Sequence, residues 1–176
     1  MKRVYSIVAL SILMLASLSS EAALTISVAP AEAAVAVDPK AGETPIESFI
    51  SGCLDSLFDA GIIATTSPTK TLNAEQWGDR AFGLQGAREG FVDLVVALYV
   101  VWKPSVLKKG VLVAAGCDYR ILRVSSGAVV ASGHVNGSGD SPEAAADPDK
   151  AARMAGAEVG RVCLPWILRA SNGGEG

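Results

Sequence analysis

From Thr44 onward the apolar positions first follow a helical period. Ile46, Phe49, Ile50, Cys53, Leu54, Leu57 and Phe58 fall on one face of a helix. Thr44 can cap that helix, Pro45 suits its first position, and Glu47 completes a capping box. Gly61 is placed to end it as a left-handed cap. Residues 62–66 read as a short strand and residues 67–70 as a turn. A second helix is predicted over residues 74–88, capped by Asn73, with Trp77, Ala81, Leu84 and Ala87 on one side. Gly78, Gly83 and Gly86 each weaken it by about 1 kcal/mol relative to Ala. After Gly90, residues 91–102 carry Asp93 as their only charge, which reads as a central strand buried on both faces. Residues 111–124 and 128–135 then form a hairpin around Ser125-Ser126-Gly127. A Gly-rich link, residues 133–139, leads to a last helix capped by Asp147 and started by Pro148. Ala151, Ala155, Val159, Val162, Cys163 and Trp166 form its stripe, and Pro165 is expected to bend or end it.

The resulting order is helix-strand-helix-strand-strand-strand-helix. It predicts an α+β domain over residues 44–169, with one mixed sheet of about four strands and helices packed against it. Residues 23–43 are rich in Ala, Val, Pro and Glu and show no clean period, so they read as a linker or flexible arm. Residues 170–176 read as a disordered tail.

The amino terminus has a different pattern. Lys2 and Arg3 precede an apolar run over residues 4–18, followed by small residues Ser20 and Ala22 at signal-peptidase spacing. The run is shorter than the roughly 20 apolar residues a spanning helix needs. Residues 1–22 are therefore expected to be a cleaved signal peptide, with Ala31-Glu32-Ala33 as a second small-x-small site. The first cysteine is Cys53, far from the run, so no lipid anchor is expected at the cut. The expected location is periplasmic or secreted, with no stable membrane anchor after cleavage.

Composition narrows the chemistry. The chain has 176 residues, 50% hydrophobic and 19% charged, which suits one globular domain and not a disordered chain. Its net charge of −3 lacks the basic footprint of a nucleic-acid binder. Cleavage would remove two positive charges and one negative charge, leaving −4. The single histidine, His134, has no nucleophile-elbow pattern to serve, and it reads as a polar residue at a strand end. The Gly-rich link has no lysine for a P-loop, and Pro142 spoils the dinucleotide fingerprint. Asp140, Glu143, Asp147 and Asp149 lack calcium-loop spacing and suit helix capping instead. Cys53, Cys117 and Cys163 contain no C-x-x-C unit for a metal. Cys53 and Cys163 each lie in a helix stripe, so they are a candidate disulfide pair, with buried free thiols as the alternative. No cofactor or metal is expected.

Three phrases carry a family resemblance. They are Leu57-Phe58-Asp59-Ala60-Gly61 before a strand, Gly90-Phe91-Val92-Asp93-Leu94-Val95-Val96, and the hairpin from Cys117 to Gly133. With the alanine-rich last helix, they resemble a bacterial envelope α+β domain. That group includes the TolB amino-terminal domain, CsgG and lipoprotein activators of penicillin-binding proteins. The resemblance implies a non-enzymatic module that binds other envelope proteins. The absence of a lipobox departs from CsgG and the activators, and the absence of a following propeller departs from complete TolB. Asp118, Arg120 and Arg123 on the hairpin, or the arm at residues 24–43, are the expected partner contacts. Reversing Arg120 or deleting that arm is expected to leave the core intact. The alternative is a periplasmic small-molecule or glycan-binding domain, which needs a pocket that a chain with 6% aromatics is poorly equipped to line.

Overall fold

The computed structural model describes residues 24–34, 42–137 and 139–171. The chain order is β1 (Thr25–Ala33), α1 (Ile46–Asp59), β2 (Ile63–Thr66), β3 (Lys70–Leu72), α2 (Ala74–Gly78), α3 (Leu84–Glu89), β4 (Leu94–Pro104), β5 (Leu112–Arg123), β6 (Val129–Asn136), α4 (Pro142–Ala146) and α5 (Pro148–Ser171). The strands form one mixed sheet in the order β2-β1-β4-β5-β6, with β3 also paired to β1. β1 is parallel to β2, β3 and β4, whereas β4, β5 and β6 are antiparallel. The α+β class and the mixed sheet agree with the sequence pattern. The sheet has six strands instead of about four, and the described fold begins with a strand instead of a helix.

That first strand corrects the reading of residues 23–43 as a linker. Residues 25–33 lie inside the sheet, and Ile26 and Val28 are fully buried against the helices. Ala29 packs on the opposite face with Leu84 and Val95. Burial on both faces erases the polar–apolar alternation that would have marked a strand, and alanine and proline carry little β-propensity. Pro30 is tolerated for a specific reason. The Val28 carbonyl accepts from Ser67, and the Ala34 amide donates to Leu72, so even-numbered residues turn their backbone toward β2 and β3. Pro30 therefore presents its missing donor at the gap where β2 has ended and β3 has not begun. The remaining expected arm residues at 35–41, the expected signal peptide at 1–22 and residues 172–176 lie outside the described residues. The expected tail starts too early, because α5 continues to Ser171 with Ala170 buried.

Both long helices cover one face of the sheet. Phe49, Cys53 and Leu57 of α1 meet Val159, Cys163 and Ile167 of α5 above β4 and β5. Their backbones nearly touch. A Cβ on Gly156 would lie 1.8 Å from the Phe49 carbonyl oxygen, and one on Gly52 would lie 1.9 Å from that of Arg153. The expected α5 stripe is shifted: Ala152 and Ile167 face inward, and Trp166 is partly exposed. The helix runs through Pro165, which sits on the solvent side where water can satisfy the freed carbonyl.

Tertiary contacts also change two local expectations. Thr44 does not cap α1, because β1 brings Glu32 within reach and the Thr44 hydroxyl donates to its carboxylate at 2.7 Å. The helix expected over residues 74–88 is split into α2 and α3 by a turn ending at Gly83, whose φ is +85°. Asn73 caps α2 in a reciprocal box with Gln76. Gly61 ends α1 in the left-handed region as expected.

Candidate functional site

Among the described residues, the other face of the sheet carries only the short α2–α3 segment. Beneath it, Ala29, Leu84, Ala87, Val95, Ala97 and Leu122 make a small second core. The turn between α2 and α3 lets Trp77 fold flat onto Tyr99 of β4, with centroids 5.1 Å apart and planes 10° from parallel. Phe82 meets the indole edge at 5.9 Å. Arg120 of β5 lies over the Trp77 ring, its guanidinium carbon 3.9 Å from the centroid. The same side chain donates to the Asp79 carbonyl at 2.9 Å and to the Trp77 carbonyl. Burial lowers the Arg120 pKa, and Asp79 partly offsets that effect.

The residues expected as one partner patch have separate roles. Asp118 and Arg120 share a face, but Asp118 meets Nδ1 of His134 at 2.7 Å while Arg120 holds the Trp77 segment. His134 lies over Gly116, where a Cβ would come within 2.6 Å of the ring. Burial raises the Tyr99 pKa, and the Asp118 charge adds to the rise. Arg123 points elsewhere and donates to the Ala170 carbonyl at 3.2 Å, near the carboxyl end of α5. The Trp77–Tyr99–Arg120 stack was missed from the sequence. Trp77 reads locally as one more residue of a helix face, and its partners are distant in the chain.

A groove of about 640 Å³ lies between the β2–β3 edge and α3. Ser27, Thr65, Thr66, Ser67 and Gln85 give it polar walls, and Phe82 lines part of it. This size falls within the range of small-molecule sites.

The two edges of the sheet differ. One edge is broken into β2, of four residues, and β3, of three, with Pro68 between them. Short, interrupted edge strands resist pairing. The other edge is β6, eight residues long and, among the described residues, bonded only to β5. It contains no proline, lysine or acidic residue. Its register slips once, near Ile121 and Leu122, and is regular from residue 131 onward. The Gly137 amide donates inward to Ala115, so Ser132, His134 and Asn136 direct their backbone groups outward.

The thiols and the acidic cluster serve the fold. Cys53, Cys117 and Cys163 are buried free thiols in this structure. Burial pushes Cys53 up to about 12 and also raises Cys117 and Cys163, the reverse of what a thiolate nucleophile needs. Asp140 accepts from Ser105 and Val106, Asp147 from the Lys150 amide, and Asp149 from Ser48. Glu143 lies in the first turn of α4. Among the described residues, no cluster of His, Cys, Asp and Glu is placed to hold a metal. No described helix is long and apolar enough to cross a membrane.

No family model matches the chain, and no curated protein matches it. Solved structures do. Protein XCC0632 from Xanthomonas campestris, of the family DUF330, is similar with a TM-score of 0.51 and 16% identity, over 86% of this chain and 90% of that one. The PelC dodecamer from Paraburkholderia phytofirmans gives 0.48 and 22%, over 84% and 89%. Lipoprotein GNA1162 from Neisseria meningitidis gives 0.41 and 13%, over 80% and 99%. At such identities the likeness is one of fold. The likeness to XCC0632 shows an α+β fold shared over most of both chains, and the structures named here are neither TolB nor CsgG.

Proposed function

We propose that this chain is an exported envelope protein, periplasmic or secreted, that acts without catalysis by binding another envelope protein along β6. The observation that carries this reading is the long edge of β6, unpaired on its outer side among the described residues, in contrast to the short, interrupted edge across the sheet. An extended segment of a partner can add there as a further strand, with main-chain hydrogen bonds supplying affinity. The basic start and apolar run of residues 1–22 support export.

The test is a photo-crosslinking residue at Asn136 in producing cells, combined with Ser132→Pro. The proline removes an outward amide and no ladder bond, so the melting temperature should stay within a few degrees. A protein adduct at position 136 that disappears with Ser132→Pro supports strand addition. An adduct indifferent to the proline, or no adduct, rejects it.

A second reading rests on the groove beside α3: a small-molecule or glycan site. Gly86 lines it and has open space where its Cβ would be. Gly86→Trp should fill the groove, and loss of a soluble ligand in that variant, with the β6 adduct retained, would favour this reading.

A further inference from the structure

The loop between β4 and β5 presents apolar side chains to solvent on a rigid frame. Val106 is 90% exposed and Leu107 is 53% exposed. Such exposure normally accompanies a loose loop, and here it does not. Ser105 is buried, and its amide donates to the Val111 carbonyl at 2.9 Å. Its hydroxyl donates to Asp140 at 2.7 Å and accepts from the amides of Leu107 and Lys108, each at 3.1 Å. The other oxygen of Asp140 accepts from the Val106 amide at 2.6 Å. Gly110, at a φ of +80°, returns the chain toward β5, and its carbonyl accepts from Gly42. These bonds fix the backbone so that Val106 projects into solvent, with Leu107 half exposed beside Pro142, Ala145 and Ala146 of α4.

The loop itself carries only positive charge. Lys103, Lys108 and Lys109 flank it, and residues 103–111 contain no acidic side chain, in a chain of net charge −3. All three lysines are exposed. Of the carboxylates that border the loop, Asp140 is engaged by Ser105 and Val106 and Asp149 by Ser48, while Glu43 stands beside Gly110.

We propose that this loop docks the protein on an anionic lipid surface. Val106 and Leu107 would enter below the headgroups, and the lysine ammonium groups would stay among the lipid phosphates. A lipid surface fits better than a protein partner because of size. The exposed apolar tip is Val106 with half of Leu107, whereas a stable protein interface needs about 800 Å² on each side. A bilayer needs only a small inserted apolar area and several cationic contacts. The pre-fixed backbone lowers the ordering cost of insertion. This docking is independent of the β6 reading, because it uses a different surface.

Flotation of the protein, as recovered after export, with phosphatidylglycerol vesicles and with phosphatidylcholine vesicles tests the proposal. Binding to phosphatidylglycerol and not to phosphatidylcholine is expected. It should weaken with added salt and fall about fivefold for each lysine removed among Lys103, Lys108 and Lys109. Val106→Ser with Leu107→Ser should abolish it, with the melting temperature unchanged because both side chains are exposed. No flotation with phosphatidylglycerol overturns the proposal. So does equal binding by the serine and lysine variants, or binding that ignores lipid charge. If the serine variant keeps its lipid binding but loses a protein adduct, the tip is a protein contact and the lipid assignment is wrong.

Discussion

Arg120 covers the indole of Trp77 at 3.9 Å and donates to the Trp77 and Asp79 carbonyls, where the turn after that helix begins. A residue that reads locally as a surface charge on a strand therefore ties a separate chain segment to the sheet. Arg120→Glu should cost about 3 kcal/mol, from the lost cation–π contact and charge-assisted hydrogen bonds. Arg120→Lys should lose less, because the charge stays over the ring while the planar fork is gone. Thermal denaturation with tryptophan fluorescence checks both. An unchanged melting temperature in Arg120→Glu would show that the Trp77 segment holds itself.

β1 makes the position of signal cleavage consequential. A cut after Ala22 leaves the strand whole, whereas a cut after Ala33 removes it along with fully buried Ile26 and Val28. The exported protein should therefore begin upstream of Thr25, as read by amino-terminal sequencing. Deleting residues 24–43 should abolish cooperative unfolding, in contrast to the neutral outcome expected of an arm. A deletion that melts like the wild type would remove β1 from the core.

The crossing of α1 and α5 allows no side chain at Gly156, where a Cβ would sit 1.8 Å from the Phe49 carbonyl. Gly156→Val should cost more than about 3 kcal/mol, through forced separation of the helices. Gly86→Ala is the matched control. It lies in α3 with nothing within 4 Å of its added Cβ, and should stabilise by up to about 1 kcal/mol. Denaturant midpoints of the two variants should move in opposite directions.

The buried thiols predict an alkaline limit. Burial raises Cys53 from 9.0 to about 12, so the folded state favours its neutral form. The associated stability is complete below pH 9, where the unfolded thiol is also protonated. It is lost progressively as pH rises from 9 toward 12, because only the unfolded chain releases the proton there. Cys53→Ala should flatten the fall of melting temperature over that window. Thiol counting gives a companion check. The native protein should react slowly, and the unfolded, unreduced protein should show three thiols. A count of one would mean that Cys53 and Cys163 are bridged in the exported protein.

α1, β4, the β5–β6 hairpin and α5 were legible in the chain because their marks are short-range. Phe49, Cys53 and Leu57 recur at helical spacing, residues 94–102 form an unbroken apolar run, and Gly127 makes a tight turn at a φ of +71°. Such signals depend on neighbours a few residues away, and the backbone responds to them locally. β1 had no comparable mark. Its alanines and Pro30 become a strand only because β4 and the β2–β3 pair supply hydrogen bonds from more than thirty residues away. The same non-local assembly directs Thr44 to Glu32 instead of its own helix, sets Arg120 on Trp77, and fixes the lysine-flanked loop through Asp140. Among the described residues it also leaves β6 as the long free edge, since a strand's place in a sheet depends on which other strands pair and not on its own residues.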